Sequence, residues 1–276
     1  MIISVFLGSV QLDTVDRALS SIRNLSFPFI QYSAIRKAGF AGQSISPSNF
    51  ASYKFSLEFT IVGGTFADLA TKRQQFVADL AQIITQGEQT LKINKSDGVN
   101  VQVAIKGIDI DADLDARDPV TSRFRIEMEA EYPFLQSQIL KAFPANVFIG
   151  GGMSIPMGIP MDMSIGGQNE ITIDNDGNAD AFPIFEFTGP LTTPSLTNTT
   201  TDKVFNLSAS LASASDKIVV DTFLRTVVIL PANSNGRRFA SGDFWTVAPG
   251  NNLIRLGGSP TTGFVTITFR DHYFGI

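Results

Sequence analysis

Between Lys54 and Gly63 the chain alternates Phe55, Leu57, Phe59 and Ile61 with Ser56, Glu58 and Thr60. A period of two puts every apolar side chain on one face, so the run predicts a strand with one side buried. At Phe66 the period lengthens. Phe66, Leu69, Arg73, Phe76, Leu80 and Ile83 recur every three or four residues, Thr65 stands where an N-cap belongs, and Gly87 ends the run. This spacing predicts one helix of roughly 21 residues, about 31 Å long.

After the helix, Thr90 to Asn94 reads as a short strand, Ser96-Asp97-Gly98 as a turn, and Val101, Val103 and Ile105 as one face of another strand. At Lys106-Gly107 the apolar phase slips by one, and Ile108, Ile110, Ala112 and Leu114 carry it on. The slip predicts a β-bulge that re-aims the strand without ending it. Arg117-Asp118-Pro119 reads as a turn; Phe124, Ile126, Met128 and Ala130 then alternate with Arg123, Arg125, Glu127, Glu129 and Glu131. The pattern thus predicts an α+β domain, a sheet with one long helix packed across it.

Regular periodicity is lost from about Gln136 to Gly167, a stretch with Gly150-Gly151-Gly152 and prolines at 156 and 160. Beyond it the apolar runs are short: Ile171 to Ile173, Ile184 to Phe187, Val204 to Leu207, Ile218 to Val220, Val227 to Leu230, Leu253 to Leu256 and Phe264 to Phe269. Gly, Pro, Asn and Asp separate them, which predicts a β-sandwich. The chain is therefore read as mainly β, with a sheet-plus-helix domain at 1–137, a connector at 138–167 and a sandwich at 168–276.

Composition supports two packed domains, since 276 residues with 43% apolar and 17% charged content can bury two cores. A net charge of −5 with no basic run disfavours direct nucleic-acid binding. The absence of cysteine excludes a disulfide framework, a thiolate nucleophile and Cys-ligated metal, and suits a reducing cytoplasm. The opening MIISVFLGSVQL has neither a charged n-region nor a small-residue cleavage site, so it is read as a first strand and not a signal peptide. Ala142 to Met161 is uncharged, but Pro144, Pro156, Pro160 and the glycines break it, and no membrane span is expected.

Asp109, Asp111, Asp113 and Asp115 have the look of a cation cage. They lack the glycine and glutamate positions of an EF-hand loop, and residues two apart in a strand share a face. They are read as an acidic stripe, available for pairing with Arg123 and Arg125 on the returning strand. Asp174, Asp176 and Asn178 around Gly177 are read as a hairpin turn, not a hard-cation site. Met153, Met157, Met161 and Met163 are read as deformable packing. His272 is the only histidine, so a Ser-His-Asp triad would need it as base; a tail or sheet-edge role is the expectation. Trp245 and most phenylalanines fall on apolar phases and are assigned to the core. No cofactor or metal is predicted.

Four stretches of the C-terminal half, taken in order, resemble the C-terminal domain of the distal tail proteins of siphovirus-type bacteriophages. They are NDGNADAFPIFEFTGPLTTPSLTN at Asn175 to Asn198, DKIVVDTFLRTVVIL at Asp216 to Leu230, APGNNLIRL at Ala248 to Leu256 and GFVTITFRDHYFGI at Gly263 to Ile276. Within them stand Asp221-Thr222 followed by Arg225, the corner Pro249-Gly250-Asn252, and Tyr273 near the end. The first half is similar in outline, ending in the acidic-aromatic step Glu131-Tyr132-Pro133-Phe134. The Gly- and Met-rich connector departs from the family by its length and apolarity.

The resemblance implies a structural virion protein without enzymatic activity, built as a homohexameric ring at the tail tip and assembled in the host cytoplasm. Its N-terminal domains would form the ring and channel, and galectin-like C-terminal sandwiches would radiate outward. Implied partners are copies of itself, the tail-tube protein, and the baseplate hub or tail-associated lysin, with genomic DNA passing through without specific binding. The Asp109, Asp111, Asp113 and Asp115 stripe is the candidate channel-facing surface, because like charge repels passing DNA. The connector is expected to order against a neighbouring subunit, which would cover its apolar residues. Two alternatives stand beside this reading: a carbohydrate-binding module, and a hydrolase built on a carboxylate pair.

Overall fold

The computed structural model describes residues 2–25, 30–36, 43–50, 52–85, 87, 89–113, 120–130, 132–146, 170–258 and 262–275. The fold is mainly β, and its contacts divide the chain into two compact units, Met1–Gln138 with Tyr273–Ile276, and Ile139–His272.

In the first unit the strands are β1 (Ile2–Leu7), β2 (Val10–Gln11), β3 (Arg17–Arg23), β4 (Ile30–Arg36), β5 (Gln43–Phe50) and β6 (Tyr53–Val62). Helix α1 (Phe66–Thr85) follows, then β7 (Gln89–Lys95), β8 (Val101–Ile105), β9 (Gly107–Asp113), β10 (Thr121–Ala130) and β11 (Leu135–Ser137). One sheet has the order β2-β1-β7-β8-β11, a second β3-β6-β10-β9, and β4 pairs with β5 alone.

The helix lies on the apolar face of the second sheet. Leu69, Phe76, Leu80 and Ile83 are its buried residues, and the Phe76 ring meets Phe59 at 6.1 Å and Phe124 at 5.2 Å, both edge-to-face. Its start is fixed locally: the Thr65 hydroxyl accepts the Asp68 N–H at 3.2 Å, and the Asp68 carboxylate accepts the Gly64 N–H at 2.8 Å. Gly87 ends the segment with φ +83, the left-handed conformation that glycine adopts without a side-chain clash. Phe66, which begins the helical period, is 72% exposed and does not join the core.

At Lys106 the structure differs from the predicted bulge. The strand ends at Ile105 in the first sheet and restarts at Gly107 in the second, while Lys106 N–H bonds Glu129 O at 2.9 Å. The slip of phase has a packing reason. Val101, Val103 and Ile105 on one side of the corner, and Ile108 and Ile110 on the other, all contribute to one core with α1. Leu114 and the turn at Arg117 to Pro119 lie outside the described residues.

In the second unit the strands are β12 (Lys141–Asn146), β13 (Glu170–Asn175), β14 (Ile184–Thr188), β15 (Leu191–Thr192), β16 (Ser195–Asn198), β17 (Lys203–Leu207), β18 (Ser210–Leu211) and β19 (Lys217–Asp221). The rest are β20 (Thr226–Leu230), β21 (Ser234–Asn235), β22 (Ala240–Gly242), β23 (Gly250–Gly257) and β24 (Phe264–Phe269); β25 (His272–Tyr273) follows, its Tyr273 belonging to the first unit. The sheets β12-β24-β14-β19-β20-β21 and β13-β23-β16-β17-β22 enclose a core of Phe185, Phe187, Phe205, Trp245 and aliphatic residues. Among the described residues every pairing in both is antiparallel, as befits a sandwich whose strands each bury one face.

Lys141–Asn146, within the span read as connector, is an edge strand paired with β24. Lys141 ties it down: its ammonium meets Asp176 Oδ2 at 2.7 Å, Asp271 Oδ1 at 3.0 Å and the carbonyl of Asp174 at 2.9 Å. Burial works against that charge, but the bonds to Asp176 and Asp271 outweigh it and raise the pKa. Residues 147–169 lie outside the described residues, and the readings of the connector and of Met153, Met157, Met161 and Met163 lie there with them.

The turn at Asp174 to Asn178 is not a hairpin. It carries the chain from β13 in one sheet to β14 in the other. Gly177 is required by proximity, because a Cβ there would stand 2.1 Å from the His272 carbonyl oxygen.

Candidate functional site: the charged face of the four-stranded sheet

Period-two alternation that sends Phe55, Leu57, Phe59 and Ile61 toward α1 sends Lys54, Ser56, Glu58 and Thr60 to the opposite face. On β10 the same logic turns Arg123, Arg125, Glu127 and Glu129 outward, and on β9 Asp109 and Asp111, both exposed. The backbone of Asp113 lies in β9, and Asp115 lies outside the described residues.

Register decides what the acidic stripe faces. Across β9 and β10, Asp109 stands opposite Glu127, Asp111 opposite Arg125 and Asp113 opposite Arg123. Across β10 and β6, Arg125 stands opposite Glu58 and Glu129 opposite Lys54. The pairing with Arg123 and Arg125 read from sequence is thus the backbone register of the sheet. The surface is a mixed ladder, with Arg125 bonded to Glu127 at 3.0 Å, Arg23 to Glu58 at 3.0 Å, and Lys54 to Glu129 at 3.4 Å.

Serine hydroxyls complete it. Ser21 donates to Glu58 at 2.7 Å, and this bond, followed by the Arg23 charge, holds the Glu58 carboxyl below its ordinary pKa. Ser52 donates to Glu129 at 2.6 Å and, with Lys54, lowers that pKa likewise. Two shallow troughs of about 400 and 380 Å³ cross the face, lined by Lys54, Asp109, Arg125 and Glu127 and by Arg23, Glu58, Asp111 and Arg123 among others. The acidic run alone did not reveal Arg23, Lys54 and Glu58; the polar phase of β6 is the signal that could have found Lys54 and Glu58.

This geometry presents fixed charge of both signs, much of it paired. Among the described residues no group of three or more His, Asp or Glu is arranged to hold a metal ion. His272 is buried, 2% exposed, with Nδ1 2.8 Å from Asp180 O. Desolvation lowers its pKa to about 4. It is a packed residue on an edge strand and not an exposed tail residue. Trp245 is 1% exposed and donates to Leu196 O at 3.2 Å, so it offers no platform for a sugar ring.

The motif residues of the second unit hold its turns. Thr222 Oγ1 donates to Pro183 O at 2.7 Å, and Asp221 Oδ1 accepts the Leu224 N–H at 2.8 Å. Asn252, 0% exposed, donates to Ala248 O at 2.7 Å and Gly250 O at 2.9 Å and accepts the Ala248 N–H at 3.1 Å. Gly250, at the same corner, has φ +85.

Comparison with known proteins agrees with this architecture. Residues 176–273 match the family model for the siphovirus-type tail component, C-terminal domain. The fold is similar to the crystal structure of the SPP1 Dit (gp 19.1) protein, described as a paradigm of the hub adsorption apparatus in phages that infect Gram-positive bacteria. That likeness has a TM-score of 0.65 at 13% identity and covers 98% of each chain. A weaker likeness, TM-score 0.43 at 10% identity over 96% of this chain and 97% of the other, is to the phage P2 baseplate in its activated conformation with Ca. No curated protein matches the sequence.

Proposed function

We propose, from the premise that residues 176–273 are the C-terminal domain of a siphovirus-type tail component, that this chain is a structural part of a phage tail tip and performs no catalysis. The family match is the observation that carries the reading. The fold shared with SPP1 Dit over 98% of both chains extends it to the first unit.

In this reading six copies close into a ring at the distal end of the tail, between the tail-tube protein and the baseplate hub or tail-associated lysin. A closed ring needs two different faces on each copy that fit one another around the circle. The first unit builds the ring and its channel, the sandwich is directed outward, and assembly takes place in the host cytoplasm.

The charged face of the four-stranded sheet is the proposed channel wall, with Asp109, Asp111, Asp113 and Asp115 toward the passing DNA. The ladder supports this role better than a bare acidic stripe does. Arg23, Arg125 and Lys54 already have carboxylate partners, so a phosphate would have to displace those partners to bind. DNA is therefore repelled weakly and held nowhere.

Negative-stain imaging and native mass measurement of the purified chain, with gold labelling of assembled tails, test the proposal. Six-fold rings and label at the distal tip are expected. A chain that stays monomeric at high concentration and is missing from purified tails overturns it.

A further inference from the structure

Three arginines of the second unit are not absorbed by that role. The described ion pairs of the sandwich engage Lys141, Lys217 and Arg255. Arg225, Arg237 and Arg238 have no carboxylate at ion-pair distance among the described residues, and all three are exposed.

Topology brings them to one end of an edge hairpin. Arg225 closes the loop between β19 and β20. The β20–β21 register pairs Val228 with Asn235, and Gly236 N–H bonds Val227 O at 2.8 Å. The short 3₁₀ turn Arg237–Phe239 follows and packs on β20. Arg225 precedes Val227 by two residues and Arg237 and Arg238 follow Gly236, so an antiparallel pair gathers all three at the same end.

Two of the guanidinium groups are held in place. Arg237 lies 4.6 Å over the Phe244 ring and Arg238 4.6 Å over Phe239. A ring beneath one face of the fork restrains its plane, and Arg237 Nη1 also donates to Ala240 O at 3.4 Å, which leaves the remaining N–H groups to donate. Arg225 has φ +54, a conformation usually left to glycine or asparagine. Asp221 and Asp243 form no ion pair with the three guanidinium groups among the described residues; Asp221 instead accepts the Leu224 N–H at 2.8 Å. Leu224 and Phe223, 65% and 43% exposed, form an apolar border.

The geometry points to a binding site for a phosphate ester on the outer sandwich, with Arg225, Arg237 and Arg238 as its donors. Arginine without lysine favours phosphate, because the planar fork gives two parallel N–H bonds to one tetrahedral group. With a net charge of −5 on the chain, the site is local and suits a discrete phosphate, not a long nucleic-acid track. The phosphate source is either a surface phosphodiester polymer or an anionic lipid headgroup. The inference rests on the tail-tip reading only for where the ligand is met.

The test is titration of the full chain with a glycerol-phosphate oligomer, and separately with phosphatidylcholine vesicles with and without phosphatidylglycerol. Binding to at least one phosphate probe is expected, with loss of about tenfold or more in the Arg237→Ala/Arg238→Ala variant and a smaller loss in Arg225→Ala. Oligomer binding alone identifies a polymer, and a preference for phosphatidylglycerol vesicles identifies a headgroup. Arg237→Lys should fail to restore affinity. Full rescue by lysine, equal binding of oligo-glutamate, or no binding to any phosphate probe overturns the site. Any of these leaves ring formation and tail labelling untouched, so the two proposals fail separately.

Discussion

The two units keep their polar side chains in different places. In the second unit Asn175, Asn198, Thr222 and Asn252 are 0 to 2% exposed. Asn175 donates to the carbonyls of Ala179 at 2.9 Å and Val247 at 3.0 Å, and Asn198 joins Asn252 at 3.3 Å. In the first unit the organised polar surface is the outward ladder of β3, β6, β10 and β9. A buried side chain that satisfies particular backbone groups must be one residue type at one position. An exposed ladder demands only that alternate positions be polar, and many sequences meet that demand.

The comparison can be broken most forcefully at the core of the first unit. Phe76→Ala removes a fully buried ring between Phe59 and Phe124, and urea unfolding should show a loss of about 3–5 kcal/mol. A negligible loss would mean that α1 does not hold the sheet.

Next in size is the pH response of the second unit. The folded state holds His272 near a pKa of about 4 against an ordinary 6.5. Between those values the unfolded chain binds the extra proton, so the stabilisation is full above pH 6.5 and is lost as pH falls toward 4. The shift corresponds to about 3 kcal/mol in total. Across that range the stabilities of wild type and His272→Gln should diverge by this amount, and parallel curves would refute the assignment.

Asn252→Ala leaves the Ala248 and Gly250 carbonyls and the Ala248 N–H without their partner, and about 2–3 kcal/mol should be lost. The smallest effect on stability belongs to the ladder. Asp109→Lys with Asp111→Lys should lower stability by less than about 1 kcal/mol, because both carboxylates are exposed and only the lysine at 111 faces a like charge, Arg125. In an infection assay the same pair should slow genome delivery; unaltered delivery would remove these residues from the channel wall.

Much of this was legible in the residues. Period two gave β6, β7, β8 and β10, period 3.6 gave α1, and the short apolar runs gave most strands of the sandwich, because burial of one face imposes its spacing locally. Ser195–Asn198 was not legible as the central strand of a sheet, since a Thr-rich polar segment carries only Leu196 as a core signal. Lys141–Asn146 was not legible either, because its partner β24 is more than 100 residues away. The candidate face was half visible: Asp109 to Asp115 announced it, whereas its neutralising partners belong to β3 and β6.

Sequence by itself determined which segments extend, which one coils, and where most of the chain turns. The tertiary structure alone decided that the strand of Val101 to Ile105 leaves its sheet at Lys106, that Arg125 stands between Asp111 and Glu58, and that the β20–β21 register brings Arg225, Arg237 and Arg238 to one end of a hairpin. The reason is physical. Periodicity records which side of a segment avoids water, but pairing order and register are set by which distant segments close around a shared core, and that information is distributed over the whole chain.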